Sequence, residues 1–247
     1  MDIVESPDNG TQKSDIIGQR FWTTLNYEPR IQEVVMTAQA DDRIFYNDYE
    51  YRISAVQYPQ ALFDIKSLGI SPIWESTACY RGYEATFSVL EGSLVLKSLD
   101  TNNGNNGSAK PVVINGFLPD VINPNSVNED FIDFRLWRYR DINLPIPYTG
   151  SILITDNFID DRYVHGGHQS VINHDTVIKL KVVDGSLIEE KDISDYIAYL
   201  RKRVDDLPYD KNNYLQYHER RRKLHERVED CLDLSLYGGG HGYGCYD

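Results

Sequence analysis

The sequence predicts a mainly β protein: an antiparallel sheet or barrel-like β domain followed by a C-terminal helical hairpin, α+β overall. Three observations predict it. Residues Ala85 to Leu96 alternate in polarity on both sides of Glu91-Gly92. The run from Val177 to Ile188 does the same around Asp184-Gly185. From about Glu189 onward the apolar spacing changes to that of a helix. Alternation marks a half-buried strand, and a two-residue loop with Gly second favours the primed turns that match strand twist. The two hairpins share V-L-E-G-S-L-V and V-V-D-G-S-L-I. They are either a duplication or two hairpins obeying one rule.

In chain order, residues 1–19 are polar and broken by Pro7, Gly10 and Gly18, which predicts a mobile N-terminus. The β domain is expected over 20–192. Phe21 to Leu25 and Ile31 to Met36 are short strand candidates. Arg43 to Tyr46 and Tyr49 to Ser54 flank Asn47-Asp48, a compact polar turn, and form another hairpin. Tyr58 to Gly69 reads as one short helix with Pro59 in its first turn, Gly69 as its stop and Pro72 beyond. Asp100 to Ser108 is an Asn- and Gly-rich loop, and 111–130 is expected to be irregular. Phe131 to Tyr139 and Gly150 to Thr155 are further strands, separated by Pro145 and Pro147. The helical appendage is expected over 193–236. Ile193, Tyr196, Ile197, Leu200 and Val204 form its first stripe, with Asp192 or Ser194 as the cap. Pro208 ends that helix, and a second runs from about Asn212 to Leu234. The tail, 237–247, is too glycine-rich to fold alone.

Composition narrows the function classes. The chain has 247 residues, 41% of them hydrophobic, enough for one β domain with appendages. Its net charge of −13 repels nucleic acid and anionic membranes except where basic residues cluster. Arg201-Lys202-Arg203 and Arg220-Arg221-Arg222-Lys223 are such clusters. Either they meet an anionic partner or they are solvated helix faces with pairs such as Arg222 and Glu226. Cys79, Cys231 and Cys245 make an odd count without a C-x-x-C pair, which fits a reducing compartment. The N-terminal stretch is acidic and polar and lacks the apolar core of a signal peptide, and no apolar run reaches membrane-spanning length. The expected location is cytoplasmic.

Two stretches carry candidate chemistry. Tyr80-Arg81-Gly82-Tyr83 places an Arg between tyrosines. One reading holds Arg81 between rings and aims it at an anion or a partner's carboxylate. The other puts a β-bulge at Gly82 and pairs Arg81 with an acidic neighbour. The second stretch, Asp160 to Asp175, contains three of the six histidines. His165 and His168 bracket two glycines, so both can turn to one divalent metal; otherwise they are surface residues on a glycine turn. No H-E-x-x-H, G-x-S-x-G or G-x-x-x-x-G-K-[ST] motif is present. No cofactor is expected beyond that metal alternative.

From Tyr49 to about Ile193 the chain resembles a family of uncharacterised bacterial proteins. The likeness rests on Tyr80-Arg81-Gly82-Tyr83 with its hairpin through Leu96. It rests also on the Gly150 to Thr155 strand, the Tyr163-Val164-His165-Gly166-Gly167 step and the hairpin from Asp175 to Ile188. The resemblance implies no reaction; it implies that Arg81, Gly82, Tyr163 and His165 belong to a recurring design. The Asn-rich loop and the C-terminal helices lie outside the shared pattern.

The functional expectation is a non-catalytic cytosolic binding protein of immunity, anti-defence or adaptor type, with another protein as partner. Its candidate binding residues are Tyr80, Arg81, Tyr83, Tyr163 and His165. The alternatives are a nucleotide- or small-anion-binding β domain using Arg81, and a metal-dependent hydrolase using His165 and His168.

Overall fold

The structure, a computed structural model, describes residues 38–73, 78–102, 110–121, 137–165 and 167–208. Beyond these it describes only residues 213, 215, 216, 219, 220, 223, 235 and 236. The expected strands at 21–25 and 31–36, the part of the 131–139 strand before Trp137, and the glycine-rich tail lie outside the described residues.

Turn chemistry builds the hairpins. β1 (Arg43–Tyr46) and β2 (Tyr49–Val56) are joined by Asn47 and Asp48, at φ 49° and 65°. β3 (Tyr83–Leu90) and β4 (Ser93–Thr101) are joined by Glu91 and Gly92, at φ 50° and 79°. Two central residues at positive φ are the signature of the type I′ turn, as the sequence predicts. β5 (Asp120–Val121), β6 (Trp137–Tyr139) and β7 (Leu144–Pro145) are short. β8 (Gly150–Phe158) leads to the last hairpin, β9 (His174–Val183) and β10 (Ser186–Asp192), which turns through Asp184 and Gly185 at φ 47° and 77°.

The strand order β10-β9-β8-β2-β1-β3-β4 closes into a 7-strand barrel where Ser186 meets Ser93. Backbone bonds from Leu94 N to Gly185 O and from Leu187 N to Gly92 O clamp the two turns together. The sheet is mixed rather than purely antiparallel: β1 and β3 pair in parallel, from Arg43 beside Thr86 to Phe45 beside Ser88. Further along, β4 leaves the barrel seam and pairs with β7 and β6, and β5 hangs outside β6. A two-residue strand, β11 (Ser235–Leu236), pairs with the end of β2.

Two apolar cores follow from the alternation. Inside the barrel lie Ile44, Ile53, Phe87, Leu94, Leu96 and Leu180, among others. The Ala85/Phe87 and Ile178/Leu180/Val182 parities read from the sequence are the inward ones. A register shift opposite Thr86 and Phe87 skips Lys97, so Leu99 returns to the interior. Outside the barrel, α2 (Ser194–Asp205) packs Ile197, Leu200 and Val204 against Ala55, Leu153, Val171, Ile172 and Val177. The N-cap residue is Ile193, without a side-chain cap, in place of the expected Asp192 or Ser194; the Asp192 carboxylate accepts the Ser194 N–H at 2.8 Å from just outside the helix. Tyr196, expected on the buried stripe, is instead partly exposed. Beyond α2, residues 215, 216, 219, 220 and 223 are helical, and Lys223 pairs with Glu219 at 2.8 Å.

The expected helix over 58–69 is two pieces, α1 (Pro59–Leu62) and a 3-10 turn at Ile65–Leu68. Phe63 between them is extended because its ring packs edge-on against Tyr83 and Phe87, at 5.8 and 6.1 Å. The Asp64 carboxylate then caps Lys66 N at 3.0 Å and starts the second piece.

Candidate functional site

The segment 38–42, which leads into β1, runs between the two stretches singled out in the sequence. On one side Ala40 N donates to Ala78 O at 2.7 Å, and Tyr80 N donates to the Gln39 side chain at 3.0 Å. On the other, Gln39 N donates to Gly167 O at 2.9 Å, and Ala38 N to the Tyr163 hydroxyl at 3.1 Å. Two adjacent aspartates complete the junction.

Asp42 is fully buried. Its carboxylate takes both Arg81 terminal nitrogens, Nη1 on Oδ2 at 2.8 Å and Nη2 on Oδ1 at 2.9 Å. Oδ1 also accepts Ala85 N at 2.9 Å, and Arg81 Nη2 reaches Ala40 O at 3.2 Å. The guanidinium lies 4.8 Å from the Tyr83 ring centre. Burial works against the charge on Arg81, but Asp42 outweighs it and holds the Arg81 pKa above its ordinary value. Burial also raises the Tyr83 phenol, with Arg81 partly offsetting it. The bidentate fork is the geometry that makes a buried Arg–carboxylate pair tolerable. Gly82 sits in a turn, its N–H on Cys79 O at 3.2 Å, rather than in a bulge. Its φ is +69°, and a Cβ there would lie 2.2 Å from Ile73 O, so only glycine fits.

Asp41 turns the other way. Its Oδ1 meets His168 Nδ1 at 2.8 Å, and its Oδ2 meets Arg52 Nη1 at 3.4 Å. Behind it, His174 is fully buried. Its Nδ1–H donates to Ser170 O at 3.2 Å, and Nε2 has no hydrogen-bond partner among the described residues. Phe158 packs edge-on against His174 at 5.3 Å, Tyr163 against Phe158 at 6.4 Å and His165 against Tyr163 at 5.0 Å.

The structure therefore brings Arg81, Tyr83, Tyr163 and His168 to one rim of the barrel, joined through Asp41 and Asp42. The Tyr80 and His165 side chains are exposed there. His165 and His168 face different neighbours, Tyr163 and Asp41. Among the described residues no three His, Cys, Asp or Glu side chains group as metal ligands. The Cys79 thiol donates to Tyr83 O at 3.3 Å. On the outer face of β1, β3 and β4 a cleft of about 150 Å³ is lined by Arg43, Thr86, Ser98 and Arg140, with Asp41 and Glu84 beside them. Arg43 is paired with Glu50, and Arg140 with Asp100. Arg220 and Lys223, from the second basic cluster, are exposed.

A different surface escaped the sequence reading. Within 111–130, expected to be irregular, the described residues 111–121 hold an anchored turn from Ile114 to Phe117, with mutual backbone bonds of 2.9 and 2.8 Å. Asn115 and Gly116 take positive φ there, 48° and 85°. Ile114 is buried, the Asn115 amide donates to Ile142 O at 2.7 Å, and the Tyr139 hydroxyl donates to Val112 O at 2.8 Å. Around this anchor four large apolar side chains face solvent: Val113 (58% exposed), Phe117 (47%), Leu118 (65%) and Val121 (61%). The available signal was Asn115-Gly116 itself, a turn dipeptide within an apolar run.

No family model, curated protein or solved structure matches the chain. Among the described residues no helix is long and apolar enough to cross a membrane.

Proposed function

We propose that the protein is a non-catalytic binding protein, of immunity, anti-defence or adaptor type, that works by contact with another protein. The observation that carries this reading is the anchored turn at 114–117 with Val113, Phe117, Leu118 and Val121 exposed around it. Several exposed apolar side chains within nine residues of a held backbone suit a docking face, because little ordering entropy remains to be lost on binding. β5 adds a second attraction: it pairs with β6 on one side, and among the described residues no strand pairs its other edge. An extended partner segment fits such an edge.

The anion reading has less support. Arg81 would have to leave a bidentate pair with buried Asp42 to meet a nucleotide, and Asp42 would be left charged and unpaired. The metal-dependent hydrolase reading has less again, since His165 and His168 turn to different groups.

The test is binding of the partner, isolated with the wild-type chain and then made pure, to a Phe117→Ser/Leu118→Glu variant. Each central apolar anchor contributes on the order of 2 kcal/mol, so affinity falls by about a hundredfold or more while the fold is kept. Unchanged affinity would place the contact elsewhere and remove the support for this face.

A further inference from the structure

The connection from β8 to β9, residues 159–173, closes over one side of His174. Ile159 N donates to Asn173 O at 2.9 Å, and the Asn173 amide donates to Arg162 O at 3.1 Å. Arg162 pairs with Asp205 of α2. Arg201 of α2 reaches Ile172 O at 2.8 Å, the His174 carbonyl and the Asp175 carboxylate at 2.7 Å. His174 thus stands where the connection, β9 and α2 are tied together.

Its ring is held in one form. Nδ1 faces a carbonyl, so it carries the proton, and Nε2 is a bare lone pair in a site where no described group donates to it. A neutral imidazole tolerates this. A charged one would carry a second N–H with no acceptor, inside a site closed to water. The ionisable groups facing the ring are Asp41, from the segment before β1, which favours the charge, and Arg52 of β2, which opposes it. On the backbone side stand Arg201 and Asp175. The ring neighbour from β8, Phe158, offers no charge.

We propose that His174 is an acid-operated latch: protonating its ring releases the 159–173 connection, and with it helix α2, from the barrel. Burial, with a smaller contribution from Arg52, holds the His174 pKa below the usual 6.5 against the pull of the Ser170 carbonyl, Asp41 and the Val171 carbonyl. The folded site therefore binds fewer protons than the open one just below that pH. Its closure is complete above pH 6.5 and weakens as pH falls through the window beneath it. The segment released carries Tyr163, His165 and His168, and its departure with α2 uncovers Ala55, Leu153 and Val177 on the barrel.

The experiment uses the full chain and two readouts between pH 8 and pH 5. The ring carbon–proton signal of His174 in NMR gives its titration. Hydrogen exchange, corrected for the intrinsic pH dependence of amide exchange, gives local opening. The latch predicts titration below 6.5. It also predicts that protection over 159–173 and α2 falls by about tenfold per pH unit in that window, while β3 and β4 stay protected. His174→Phe, or His174→Gln if the first does not fold, removes the pH dependence. A ring titrating at or above 6.5, protection unchanged at pH 5, equal loss in β3 and β4, or the same profile in the variant would each overturn the proposal.

Discussion

Asp42 decides whether Arg81 is a structural or a ligand-binding residue. A carboxylate buried to 0% exposure is tolerated only with its charge answered, and Arg81 answers it through two parallel bonds while Ala85 N supplies a third. Removing either partner leaves the other buried and unpaired. Asp42→Asn and Arg81→Leu are each expected to lower stability by about 3–5 kcal/mol, read as a lower urea midpoint at unchanged slope. A loss below about 1 kcal/mol for Arg81→Leu would mean that the guanidinium is not needed for the fold, and would return it to the anion reading. The sequence pointed to Arg81 and to a choice between an anion and an acidic neighbour, but not to the neighbour itself. Asp41 and Asp42 have no periodicity, no motif and no proximity in sequence to Arg81, which lies 39 residues beyond Asp42. Only the parallel pairing of β1 with β3 brings them together.

Elements whose rule is local were legible. Asn47-Asp48, Glu91-Gly92 and Asp184-Gly185 all form the turns that their chemistry demands. The position of the α2 start was legible but its cap was not: Ile193 is the N-cap residue and no side chain caps it, while Asp192 accepts the Ser194 N–H just outside. Elements shaped by a distant contact were not. The helix over 58–69 breaks at Phe63 because two rings of β3 draw its side chain inward. The 110–121 segment looked irregular because its Pro, Asn and Gly content hid a turn fixed by Ile142 O and Tyr139, more than twenty residues downstream. Ile197 is fully buried between α2 and the outer face of the sheet. Ile197→Ala leaves a cavity worth about 2–4 kcal/mol there. Hydrogen exchange is expected to speed up in α2 and at Val171–Asn173 before it does so in β3 and β4. Equal acceleration across the barrel would show that the two cores unfold as one.

At the scale of the whole molecule the sequence reaches the fold class but not the closure. Strand alternation predicts a sheet or barrel of antiparallel hairpins; it carries no record of the parallel β1–β3 pair or of Ser186 meeting Ser93. Closure leaves a division of labour. One rim is built from mutually satisfied charges around Asp41 and Asp42. Residues 113–121, which end in β5 outside the barrel seam, carry Val113, Phe117, Leu118 and Val121 exposed. If the protein docks a partner as proposed, its net charge of −13 predicts a preference for a basic rim on that partner and association that slows with added salt.

The most direct measurement is a hydrogen-exchange footprint of the protein with and without its purified partner. Binding through the anchored turn predicts slowed exchange in residues 110–121 and in β6, with residues 78–83 and 163–168 unchanged. Slowed exchange at 78–83 and 163–168, with 110–121 unaffected, would contradict the account and make the Asp41–Asp42 rim the binding site.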